Sequence, residues 1–415
     1  MNENRTDAGE NGVRPFAEAD MEENRKKRRF LPVVLAVVLT AALTVAACAF
    51  YVHARYGAAI AFGREYPKLL ELSEIIDEWF VGEKDPAAVA DGCAAGMVDG
   101  LGDRWSYYLS AEELKEYDVT MANNYVGIGV MVTKEENGPL EIQSVQEGGS
   151  AADAGLQPGD CITAVNGTPV DDLTLEEATA LVTGEEGTPV NLMVLRGEET
   201  FELTLLRVAI HTEPVQSEML GDVGYIRLDN FYSESANAFI QAAQQLLEQG
   251  ASALVVDVRF NGGGYVSEVT RMLDYLLPEG VIFHMEYTDG RVYDVTSDPA
   301  RVDVPVGVLV NDRSFSAAEY FAETIRVYEC GIVGGQATTG KGYSQTMMRL
   351  SDGSGVNLST ARYFTPDGRS LADVGIIPDV PVEVDEEEYF LTYYKTLPRE
   401  EDHQLQALLQ ALTAS

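Results

Sequence analysis

A chain of 415 residues is longer than one ordinary core, so two or three folded units are expected. Its hydrophobic content of 46%, with 38 Gly and 16 Pro, is that of a folded protein and excludes a disordered or collagen-like one. A formal net charge of −38 excludes a nucleic-acid partner, because a phosphate backbone would be repelled; four cysteines without CxxC spacing predict no metal site.

Residues 1–29 are polar and end in the basic cluster Arg25, Lys26, Lys27, Arg28, Arg29. An uncharged apolar run follows over 30–52, and about 23 residues suffice for a helix to cross a bilayer core. The charge bias predicts a cytoplasmic tail at 1–29, a transmembrane anchor at 30–52 and everything after it outside the cell membrane. A cleaved signal and a lipobox-like Val45, Ala46, Ala47, Cys48 are the alternatives.

Over 53–120 helical spacing dominates, with Leu69, Leu72, Ile76, Trp79 and Phe80 on one stripe and a second helix over 87–101. Between 121 and 208 the pattern changes to short glycine-broken strands at 126–133, 140–145, 161–165, 190–195 and 201–206, with a helix at 175–182. The run Gly148 to Leu156, then Gly159, Asp160 and Val165, Asn166, Gly167, resembles a PDZ domain. That resemblance implies capture of an extended C-terminal peptide as an added strand, with the carboxylate held by backbone N–H groups at Tyr125, Val126, Gly127, Ile128 and Gly129.

From 209 to 395 strands and helices alternate: strands at 224–228, 253–258 and 304–310, helices at 235–248, 266–276 and 317–328. This predicts an α/β core with strands buried on both faces and chemistry at their C-terminal ends. The whole is therefore a multidomain α/β (α+β) protein: anchor, helical cap, PDZ β-module and α/β core. A last segment, 396–415, repeats helical spacing at Leu405, Leu408, Leu409 and Leu412, suited either to packing on its own domain or to pairing in a homo-oligomer.

Three segments lie at those strand ends. Asp257 to Gly264 is a strand running into a glycine turn, where backbone N–H groups can face developing negative charge. Ser316 lies where a strand gives way to a helix, and Glu319 follows at capping-box spacing. Gly335 to Lys341 imitates a phosphate loop, but Gly342 stands where a Mg²⁺-binding Ser or Thr is needed. In order, Asp257, Arg259, Asn261, Gly263, Gly264; Ser314, Ser316, Glu319; and Gly340, Lys341, Gly342, Gln345 resemble the C-terminal processing, or tail-specific, peptidases. Phe260, Gly262, Phe315, Ala318, Thr339 and Ser344 depart from that pattern, which has Asn at the position of Phe260.

The resemblance implies a serine endopeptidase acting on proteins with apolar C-termini, without metal or other cofactor. In it Ser316 is the nucleophile, Lys341 the general base and Gln345 the residue orienting the amine; Ala317 with Gly263 or Gly264 would hold the oxyanion. A lysine can act so only as the neutral amine, which burial away from carboxylates favours. No GxSxG, HExxH or histidine motif supports another hydrolytic mechanism. The remaining alternative is a non-catalytic PDZ scaffold with a protease-like core.

Overall fold

A computed structural model describes residues 15–414, which divide into two compact units with the boundary between Asp85 and Pro86. In the first, one helix runs over Pro15–Glu65 and a second over Pro67–Trp79, whose Pro67 needs no N–H partner at a helix start. Between residues 30 and 52 every side chain is exposed, Leu35 to 68% and Phe50 to 74%. The stretch Phe30–Glu65 is long and apolar enough to cross a membrane.

The second unit holds three sheets of note. The PDZ sheet runs in the order Val130–Lys134, Leu140–Val145, Cys161–Val165, Pro189–Arg196, Glu199–Leu206, all antiparallel. Its inward side chains, among them Ile128, Ile142, Val165 and Leu192, close a core under the helix Leu175–Val182. That helix is opened by a capping box between Thr174 and Glu177. Strand Val130–Lys134 pairs on one side only, which leaves its other edge free. The single strand expected at 126–133 is broken: Asn124–Gly127 turns away to pair with Val208–His211. Gly129, at φ +84°, makes the break, since its Cα lies against Gly149 and a Cβ there would come within 2.9 Å of it.

The central sheet runs Val215–Leu220, Val223–Leu228, Ala253–Asp257, Val306–Val310, Gly331–Gly335, Val380–Pro381; its first pair is antiparallel and the rest parallel. Strands Val223–Leu228, Ala253–Asp257 and Val306–Val310 are buried at every residue. One face packs on the helices Ser235–Glu248, Val266–Leu276 and Ala317–Val327. The other takes the helix His403–Ala414, whose Leu405, Leu408 and Leu412 meet Tyr225, Val255 and Leu309. Gly307 and Gly334 make room for Leu408, since a Cβ at either would stand 3.0 or 3.1 Å from it. The leucine stripe is thus used inside the chain.

A third, five-stranded sheet combines Tyr107–Leu109, Gly355–Phe364, Gly280–Tyr287 and Val292–Ser297, with Tyr343–Arg349 pairing to Gly355–Phe364. It brings the residues just after Lys341 beside a segment from before the PDZ module.

Candidate active site

The three glycine- and serine-containing segments converge at the C-terminal edge of the central sheet, stitched by side chains that the local turns expose. Ser314 Oγ donates to Val258 O at 2.7 Å, and Asn311 Oδ1 accepts from the Phe260 N–H at 2.9 Å. At the base of the first loop Asp257 and Arg259 are fully buried, and Arg259 also pairs with Asp402 at 2.6 Å. Burial works to raise the Asp257 carboxyl, and the Arg259 guanidinium more than offsets it, holding the group well below the usual carboxylate range.

Ser316 is 9% exposed and occupies φ +59°, ψ −122°, a strained turn between strand and helix. Such a turn presents the hydroxyl clear of both elements while the following amides face the same space. Gly263 lies directly against it. A Cβ on Gly263 would stand 2.8 Å from Ser316 Cβ and 3.0 Å from Ala317 N, so only glycine permits this approach. The Gly263 N–H already donates to Asn261 Oδ1 at 2.8 Å. The N–H groups of Ala317 and Gly264 have no hydrogen-bond partner among the described residues.

Glu319 joins the serine to the lysine loop. Its buried carboxylate accepts from Ser316 N at 2.9 Å, Gly340 N at 2.7 Å, Lys341 N at 2.8 Å and Thr338 Oγ1 at 2.5 Å. Burial raises its pKa, and these four donors oppose the rise. The capping-box glutamate is thereby also the tether of the lysine.

The Lys341 amine lies 4.6 Å from the centroid of Trp105 and 5.8 Å from that of Phe315, whose rings are themselves 5.7 Å apart. Burial brings the amine down from 10.5 to about 8, against the opposing pull of Glu319 and Asp103. No hydrogen bond joins Lys341 Nζ to Ser316 Oγ among the described residues. No hydrogen bond joins Gln345 to the Lys341 amine among the described residues. A register shift at Ser344/Gln345 intervenes, and its amide donates to Tyr343 O at 3.0 Å and Ser359 Oγ at 3.1 Å.

Asp103 and Trp105 escaped the sequence reading. Asp103 accepts from Trp105 N at 3.1 Å and Ser106 Oγ at 2.5 Å, and Ser106 Oγ accepts from Ser359 N at 3.0 Å. The segment is thus fixed to the strand that also holds Gln345. A tryptophan in an otherwise polar Gly-Asp-Arg-Trp turn was the one signal available.

The histidines of the second unit are engaged elsewhere: His211 with Asn124, His284 with Asp294, His403 with Glu388. The four cysteines are free, and no cluster of metal-ligating side chains occurs among the described residues. Of the five residues expected to receive a peptide carboxylate, Tyr125, Val126 and Gly127 are strand residues paired with Ile210, Ala209 and Val208. Only Ile128 and Gly129 lie in the turn before the free edge, and the Ile128 side chain points into the core at 1% exposure.

A peptidase family S41 profile matches residues 222–382, and a PDZ profile matches residues 141–196. The chain is 32% identical over 364 residues to the carboxy-terminal processing protease CtpA of Bacillus subtilis, covering 87% of this chain and 78% of that protein. It is 29% identical over 375 residues to a CtpA-like serine protease of Staphylococcus aureus, covering 88% and 75% respectively. A solved S41 protease from Bacteroides fragilis, 20% identical, shares the fold at a TM-score of 0.55 over 80% of this chain and 90% of that one. With a relative this similar over most of both lengths, and with the serine and lysine loops built on the matched core, the chain belongs to the S41 family of carboxy-terminal processing serine proteases.

Proposed function

We propose that this peptidase is a membrane-anchored endopeptidase that cuts protein substrates near apolar C-termini with Ser316 as nucleophile and Lys341 as general base. The observation that carries the reading is the amine of Lys341, covered by Trp105 and Phe315 and tied through its own backbone to the carboxylate that also holds Ser316. A lysine so placed has the lowered proton affinity that a base needs at neutral pH.

In the reaction Ser316 Oγ attacks the scissile carbonyl carbon and its proton passes to the neutral Lys341 amine. The resulting oxyanion is received by the N–H of Ala317 and, of the two glycines considered, by Gly264, because the Gly263 amide is spent on Asn261. Gly263 serves by shape instead. The lysine returns its proton to the leaving amine, then activates a water to hydrolyse the acyl-serine. Gln345 acts at one remove, fixing the strand after Lys341 to Ser359.

The PDZ module would read the substrate tail along the free edge of Val130–Lys134, with the terminal carboxylate at the amides of Ile128 and Gly129. The exposed apolar helix would hold the chain in the cell membrane, residues 1–29 cytoplasmic and the peptidase outside. The test is digestion of an unstructured protein by wild type, Ser316→Ala, Lys341→Ala and the double variant. Each single change should abolish cleavage and the double should cost no more, since the pair acts as a unit. Substantial proteolysis by Lys341→Ala would overturn the assignment.

A further inference from the structure

The loop that carries Gly263 and Gly264 contains a side chain the pattern does not account for. Phe260 sits at φ +63°, a conformation that a bulky residue adopts only when its surroundings impose it. The surroundings are the C-terminal segment, beyond the matched peptidase region. Tyr389 and Tyr393, one turn apart on the helix Glu386–Tyr393, meet the Phe260 ring edge-on at 4.9 and 5.3 Å. Tyr389 also donates its hydroxyl to Asp312 Oδ1 at 3.0 Å, four residues before Ser316.

One tyrosine therefore touches the glycine loop through its ring and the serine loop through its hydroxyl. The helix that carries it is itself anchored. Arg227 donates to Thr392 O at 3.2 Å, and Glu388 accepts from His403 N at 2.8 Å. The neighbouring loop residue Arg259 is held by the same C-terminal segment, through Asp402 and Gln404.

We propose that Tyr389 is a positioning residue for the peptidase: it clasps the strained turn at Phe260 and so holds the Gly263–Gly264 turn against Ser316. The inference rests on the proposed roles of Ser316 and the glycine turn. Its mechanism is steric and aromatic. Without the tyrosine ring the Phe260 backbone is released toward negative φ, and because the Phe260 N–H bonds Asn311 while Gly262 packs on Phe315, the turn moves with it. A residue that tolerates positive φ unaided, such as asparagine, would hold the turn without a clasp.

The experiment uses the full-length chain and an internally quenched peptide. Tyr389→Ala should lower kcat tenfold or more with KM changed less than twofold, whereas Tyr389→Phe, which keeps the ring, should stay within threefold of wild type. Phe260→Asn alone should stay within threefold, and the double variant Phe260→Asn/Tyr389→Ala should match Phe260→Asn. In a Ser316→Ala background, Tyr389→Ala should speed amide exchange at residues 259–264 at least tenfold and leave Ala253–Asp257 unchanged. This arm reads the clasp whether or not Ser316 is the nucleophile. The proposal is overturned by a Tyr389→Ala kcat within twofold of wild type, by a double variant as slow as Tyr389→Ala, or by unchanged exchange at 259–264.

Discussion

Replacing Trp105 should move the pH at which the peptidase works. At pH 7 an amine titrating near 8 is neutral in roughly one molecule in ten, against about one in three thousand at 10.5. Two effects of the ring oppose each other: covering the amine favours the neutral form, while its π face favours the charged one. The second is worth about 0.5–2 kcal/mol, roughly 0.4–1.5 pKa units. Burial is the largest influence on the amine and brings it from 10.5 to about 8, so losing the cover of the ring should outweigh losing its π face. Trp105→Ala lets water reach the amine and raises its pKa, so activity at pH 7 should fall, by at most about 300-fold if the whole shift is lost. The loss should shrink as pH rises, to about fourfold or less at pH 10. The assay is kcat/KM between pH 6 and 10 for both proteins. Wild type should climb about tenfold per unit up to pH 8 and then level. A wild-type rate flat from pH 7 to 9, or a Trp105→Ala midpoint still at 8, would refute the argument.

The same lowered pKa is a stability cost. The folded chain binds fewer protons at Lys341 than the unfolded chain between about 8 and 10.5, so stability contributed there rises with pH, and Lys341→Met should raise the melting temperature at pH 7 while abolishing cleavage. Asp402→Ala leaves the Arg259 charge buried with one carboxylate fewer and should cost about 3–5 kcal/mol in denaturant melts. Leu408→Ala, emptying a fully buried site between Gly307 and Gly334, should cost about 2–5 kcal/mol. In cell fractionation the full chain should remain with membranes after high salt and be released by detergent, whereas a chain starting at His53 should be soluble.

What was legible in the sequence follows from how each element is buried. Ala253–Asp257 and Val306–Val310 lie inside on both faces and read as unbroken apolar runs, and the helices around them carry one apolar stripe. The third sheet was missed because Val292–Ser297 is largely exposed and Tyr343–Arg349, with only Ser344 buried, presents no apolar face to read. The helix Glu386–Tyr393, with three glutamates in its first turn and only Glu388 and Thr392 buried, gave no stripe to read. Ser316, Glu319 and Lys341 are close in sequence and retain a motif. Trp105 reaches Lys341 across more than 230 positions, and Tyr389 reaches Phe260 across about 130; neither contact leaves a spacing that local periodicity can show.

If capture of a tail is to bear on chemistry at Ser316, the two must be joined by contacts that cannot move independently. The PDZ module is entered and left through one ribbon, Asn124–Gly127 paired with Val208–His211, so any rotation of the module is delivered to its root. There the Asn123 amide donates to Ser233 O and its oxygen accepts from Asn230, both at 2.8 Å, while Asn123 O accepts from Thr212 N. Phe231, next to Asn230, donates its N–H to Gly263 O at 3.0 Å and receives that of Tyr265 at 2.7 Å. A Cβ at Gly264 would stand 2.3 Å from Phe231 O, so the turn beside the serine packs directly on the Phe231 backbone. The root of the PDZ module and the glycine turn therefore share one short stretch, residues 229–233. Asn123→Gly tolerates the φ of +54° at this residue, keeps both ends intact and cuts the side-chain join, so the preference for a free-acid over an amidated peptide should weaken in kcat while the affinity for the tail is unchanged. An unaltered preference would place the coupling elsewhere, and a lost affinity would show that Asn123 shapes the PDZ module itself.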